Sequence, residues 1–197
     1  MSGDLAVVEL HWIPLGAGQR VVRVSGRTFE RLSALFHRRR PCDLYHSALE
    51  VIVPEARFVI EMAPIVDRDG ERRGVVAEGP VGMKWAGRFR LFRYEIRRWR
   101  EGVIPDLGEA VATTSVSVDL VDAQRLLDLV PSVPTPVWGR DELDTGEMWN
   151  SNSVTSWLLA RANFDIAQLR PPAGGRAPGW AAGLVRAARD LEQLVRH

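Results

Sequence analysis

The chain has 197 residues, with 26 basic and 25 acidic side chains and a formal net charge of +1. That length suits one domain, and a composition of 46% hydrophobic and 26% charged residues excludes wholesale disorder. Near-neutral charge leaves no global footprint for nucleic acid or an anionic membrane, one cysteine excludes a disulfide framework or Cys-rich zinc site, and no apolar run approaches the roughly 20 residues of a membrane span.

Residues 5–13 (LAVVELHWI) read as a strand, 14–20 as a turn and 21–25 (VVRVS) as a second short strand. In 26–38, Phe29, Leu32, Leu35 and Phe36 recur at helical spacing behind Ser25 or Thr28 as N-cap, and the helix stops before Pro41. LYHSALEVIV and RFVIEMAPIV flank Pro54-Glu55-Ala56 as a β-hairpin. A polar turn over 67–74 leads to a short strand, VVAEG, and then to a loop over 79–87. RFRLFRYEIRRW (88–99) reads as a long strand with one wet, arginine-rich face, at a sheet edge. Residues 119–130 read as a helix capped by Asp119 or Asp122, followed by a Pro-rich connector over 131–147. A helix over 151–163, a Pro/Gly loop over 170–179 and an amphipathic helix over 180–196 complete the chain. Strands first and helices later predict an α+β fold, with a mostly antiparallel sheet packed on helices in a single domain over 1–197.

The start MSGDLAVVELHW lacks the basic and apolar stretches of a signal peptide, so a cytoplasmic location is expected. No glycine fingerprint for a nucleotide is present. Of the four histidines, His11, His37 and His197 have no partner at a familiar ligand spacing, so neither metal nor cofactor is expected. Arg88, Arg90, Arg93, Arg97, Arg98 and Arg100 interleave with aromatic residues, a pattern known from single-strand binders. The balancing acids and the two-faced nature of a strand argue against nucleic acid here. Lys84 is the sole lysine among the basic residues, for which a GC-rich coding sequence is the simplest cause.

Two segments carry candidate chemistry. His46 opens a strand directly after Cys42-Asp43-Leu44-Tyr45. The run Trp149-Asn150-Ser151-Asn152-Ser153-Val154-Thr155-Ser156-Trp157-Leu158-Leu159 sets a polar cluster before an apolar helix. N-capping accounts for one or two of its polar residues. Cys42 is the only thiol, but it sits in a loop with no helix N-terminus behind it.

Together, Tyr45-His46-Ser47-Ala48-Leu49 and Asn150-Ser151-Asn152-Ser153-Val154 resemble the motifs of circularly permuted papain-like proteins. This is the NlpC-type branch that includes the lecithin–retinol acyltransferase-like and desumoylase-like proteins, and the similarity covers about residues 40–165. The resemblance implies a nucleophile at a helix N-terminus, a general-base His on the sheet and an orienting polar group on the next strand. Carried onto this sequence, Ser151 stands where the family has Cys, His46 is the base, and Glu61 is the orienter, ahead of Glu50. Backbone N–H groups with Asn150 or Asn152 would stabilise an oxyanion. The implied function is a hydrolase or acyltransferase acting on an amide or ester of a small molecule, lipid or peptide. The alternatives are a catalytically inactive papain-like binding module and an interaction protein using the arginine strand.

Overall fold

A computed structural model of the chain describes residues 5–15, 42–65 and 73–196. The described strands are β1 (Leu5–Pro14), β2 (Tyr45–Val53), β3 (Ala56–Pro64), β4 (Val75–Pro80), β5 (Arg93–Arg100) and β6 (Ala112–Asp119). They form one antiparallel sheet in the order β4-β5-β3-β2-β1-β6. Three α-helices follow: α1 (Leu120–Leu129), α2 (Ser151–Arg161) and α3 (Trp180–Val195). The α+β class and mostly antiparallel sheet are as expected from the order of elements. The strand at 21–25 and the helix at 26–38 lie outside the described residues.

The expected hairpin is β2–β3. Val53 pairs with Ala56 across a two-residue turn, where Pro54 presets the backbone bend. Side chains then alternate across the sheet. Tyr45, Leu49, Val51 and Val53 of β2 join Leu10 and Trp12 of β1, Ile60 and Met62 of β3, and Tyr94 and Ile96 of β5 in the main core. That core is completed by Leu126, Leu127, Trp157 and Leu158 from the helices. The residues between them face the other way, where Ile13, Ala48 and Val59 form a smaller cluster with Ile104.

The arginine segment differs from its expected form. Residues 88–92 are the end of one 3-10 turn and a second, Arg90–Phe92; only Arg93–Arg100 is strand. The last rungs are Pro80↔Arg93 and Pro64↔Tyr94; beyond them Val81 donates to the Phe92 carbonyl at 2.8 Å and then bridges to Trp138 instead of continuing along the segment. Nor is β5 an edge, since it lies between β4 and β3. Its arginines are structural: Arg97 is buried against Glu61 and Glu95, Arg98 donates to the Leu127 carbonyl at 3.0 Å, and Arg93 pairs with Glu78 at 3.0 Å. The strand β6 was not expected at all. It follows from a crossover over 101–111 that carries the chain from β5 to the far side of β1. In passing, it lays Ile104, Leu107 and Ala110 over the small cluster.

The helices cover the opposite face. Asp119 caps α1 by accepting from the Asp122 N–H at 2.8 Å. In α2 every residue from Asn152 to Leu159 is buried, because the sheet, α1 and α3 surround it. The α2–α3 contact is close: a Cβ on Gly183 would stand 2.1 Å from the Ser153 carbonyl oxygen.

Candidate functional site

The polar run at the start of α2 is built into the fold. Asn150 is the N-cap, and its side-chain oxygen accepts from the Asn152 N–H at 2.9 Å. Ser153 completes a capping box by accepting from the Asn150 N–H at 3.1 Å. The Ser153 hydroxyl also donates to the Gly179 carbonyl at 2.7 Å, and the Ser156 hydroxyl to the Trp180 carbonyl at 2.8 Å. Asn152 is the hub. Its amide donates to the Tyr45 and Pro178 carbonyls, each at 2.9 Å, and its oxygen accepts from the Ser47 hydroxyl at 2.8 Å. The two segments of the family resemblance thus meet, through Ser47 and Asn152.

His46 does not share that meeting point. Tyr45 and Leu49 point into the helix-side core and Ser47 bonds α2, so His46, one residue out of phase, projects from the other face of the sheet. Its electrostatic neighbour there is Asp106 of the crossover. Burial holds the imidazole below its ordinary value, and Asp106 opposes that shift. Glu61 is on the same face as His46 and is paired with Arg97, directly across the β3–β5 ladder. Burial pushes the Glu61 carboxyl up, against the pull of the Arg97 guanidinium; Glu95 and Asp106 add to the rise.

The structure therefore brings His46 and Glu61 to one face and leaves Ser151 at the other, with the sheet backbone between them. The expected Ser151–His46 contact is not made. The oxyanion role assigned to Asn150 and Asn152 meets a second obstacle: both side-chain amides already donate to backbone carbonyls, and the Asn152 N–H serves the cap. Ser151 itself is the first helical residue, half-buried, at the positive end of the α2 dipole. Cys42 is half-buried near the start of β2. An open hollow lined by Glu55, Leu120, Gln124 and Asp128 lies at the Val53 end of β2, whereas α2 begins at the Tyr45 end. That strand's length, about 25 Å at the usual rise, separates the hollow from Ser151.

A feature not expected from sequence lies between β4 and β5. Residues 82–92 form two 3-10 turns that leave the sheet after Gly82, which has a positive φ of 73°. Met83, Trp85, Phe89, Leu91 and Phe92 are all exposed there, Trp85 at 59% and Leu91 at 83%. Lys84, Arg88 and Arg90 alternate with them and are exposed too, and the segment contains no acid. Lys84 pairs with Glu142 of the connector at 3.0 Å. The chain matches no family model, no curated protein and no solved structure.

Proposed function

We propose that the chain is a non-catalytic binding module of papain-like layout that docks on an anionic lipid surface through residues 82–92. The carrying observation is five large apolar side chains held out in ten residues, interleaved with three cations. Burying such side chains in a core would stabilise the fold by about 1.5–3 kcal/mol each, so their exposure calls for an apolar environment outside the chain. Trp and Phe at the level of lipid headgroups, with Lys and Arg beside them, are the composition of an interfacial segment. Each basic side chain near an anionic leaflet adds about 1 kcal/mol. This mode of attachment needs no membrane span, and no helix among the described residues is long and apolar enough to be one.

The papain-like layout is supported by the junction of α2 with the start of β2. The inactive reading is supported by the alternation along β2, which turns His46 away from the face on which α2 packs. Co-sedimentation with phosphatidylcholine vesicles containing phosphatidylglycerol tests the docking. Wild-type protein pellets with them, less so at high salt. A Trp85→Ser, Leu91→Ser variant stays in the supernatant. Failure of the wild type to pellet with any vesicle assigns the surface to a protein partner instead. A fluorophosphonate probe tests the inactivity: no adduct is expected at Ser151, and a stable one restores the hydrolase or acyltransferase reading.

A further inference from the structure

Glu9 and Glu50 are direct cross-strand partners in the β1–β2 ladder. Two carboxylates in such a pair have Cβ atoms about 5 Å apart on one face and repel each other. Glu50 is buried and Glu9 half-buried, so water screens them poorly. His11 is two residues along β1, on the same face and buried. Its Nε2 lies 3.2 Å from Glu50 Oε2 and 3.8 Å from Glu9 Oε2. These three atoms all lie within 4.8 Å of one another.

The outer atom of each group is held by a different neighbour. Ser115 donates to Glu9 Oε1 at 3.1 Å, Thr113 Oγ1 meets His11 Nδ1 at 2.9 Å, and the Arg57 guanidinium binds Glu50 Oε1. Thr113 and Ser115 stand opposite His11 and Glu9 on β6, so the three adjacent strands build this support together. With Nδ1–H given to Thr113, the Nε2 lone pair faces two carboxylate oxygens. Three electron pairs then converge on one point that suits a cation; in the other tautomer Nε2–H donates to Glu50 Oε2 and Nδ1 accepts from the Thr113 hydroxyl.

We propose that Glu9, His11 and Glu50 bind a first-row divalent metal ion through Glu9 Oε2, His11 Nε2 and Glu50 Oε2. One imidazole and two carboxylates suit zinc or manganese. Bonds of about 2.1 Å in a tetrahedral or octahedral shell put neighbouring ligand atoms about 3.0–3.4 Å apart; His11 and Glu50 already stand at 3.2 Å, and Glu9, 3.8 Å from His11, has to turn inward. Glu9 is the least buried of the three and gives the ion its way in. Three protein ligands leave coordination positions for water. Outer neighbours such as Thr113 and Ser115 fix the tautomer and carboxylate orientation, as they do in established metal sites. In the sequence His11 has no partner at a familiar ligand spacing; the sheet supplies Glu50 from 39 positions away.

The competing occupant is a proton on His11 Nε2, donated to Glu50 Oε2. Chelator-treated full-length protein titrated with manganese(II), read by loss of the free-ion electron paramagnetic resonance signal and by calorimetry, separates the two. Manganese avoids competition from the Cys42 thiol. The expected result is saturable binding of one ion per chain. Glu9→Gln should weaken it by at least tenfold, and Thr113→Val by about tenfold. Glu9 is partly exposed, so Glu9→Gln keeps the fold, which circular dichroism verifies. Absence of saturable manganese binding in the wild type, or unchanged affinity in Glu9→Gln, overturns the proposal. The vesicle experiment does not touch these residues, so the two ideas stand or fall separately.

Discussion

The Ser47 hydroxyl donates to the Asn152 side-chain oxygen at 2.8 Å across 105 positions of sequence. Both groups are buried, and this bond together with that from Asn152 to the Tyr45 carbonyl fastens the start of α2 to the start of β2. The link between these two segments is a neutral structural hydrogen bond.

Asn152→Ala removes that anchor and leaves the Ser47 hydroxyl and the Tyr45 carbonyl without a buried partner. A loss of about 2–4 kcal/mol in unfolding free energy is expected, measured by urea denaturation. In the double-mutant cycle with Ser47→Ala, a coupling energy of about 1 kcal/mol is expected. Strict additivity would show that the two side chains do not interact.

Ser151→Cys places a thiol at the α2 N-terminus, where the dipole favours the thiolate. Alkylation of that thiol, followed by mass spectrometry, should proceed at the same rate whether or not His46 is also changed to Asn. A tenfold drop on losing His46 would mean that the imidazole reaches Ser151 in solution.

His46 makes stability depend on pH with a defined sign. Its folded value lies below the ordinary 6.5, so between those two values the unfolded chain binds more protons. The contribution is complete above about 6.5 and is lost as pH falls through the folded value. Wild-type protein should therefore lose more melting temperature than His46→Gln between about pH 7 and pH 5. Glu61, raised by burial, contributes stability that is fully present below its ordinary value and is lost as pH rises through its folded value. It is common to both proteins, so the comparison isolates the ring. Parallel melting curves would show that the imidazole is not desolvated.

Gly183 is where α3 presses on α2. An added methyl would meet the Ser153 carbonyl oxygen and the Ser156 hydroxyl, each at 2.1 Å. Gly183→Ala should destabilise by about 1–3 kcal/mol despite its better helix propensity, as read by thermal unfolding. A neutral or stabilising result would mean that the helices separate at little cost.

Local pattern made much of this fold legible. Turn chemistry at Pro54 marked the hairpin, Asp119 marked the start of α1, and the apolar run after Asn150 marked α2. The side of the sheet was legible too: His46 shares its parity with Glu50, opposite the apolar series Leu49, Val51 and Val53. That parity already sets His46 away from the main core, but a short motif match outweighs it only when faces are ignored. What no local pattern carries is partnership between distant strands. Glu50 faces Glu9, and Thr113 faces His11, because β1 inserts between β2 and β6, and a linear reading has no means of registering that. Residues 88–92 misled for another reason: alternating Arg and aromatic residues mimic a strand whether or not a neighbour exists to pair with it.

Placing β1 between β2 and β6 also sets an order on assembly. His11 and Thr113 stand 102 positions apart, so the β1–β6 seam has a far longer contact range than the β2–β3 hairpin. Closing so long a loop adds only about 0.6 kcal/mol per doubling of length, but it slows the conformational search. Among the described strands β1 and β2 are made before β6, so the far side of β1 has no described partner until residues 112–119 leave the ribosome. That interval is when a second nascent copy could pair with it; the crossover over 101–111, by delivering β6, covers β1 and leaves β6 and β4 as the outer strands of the sheet.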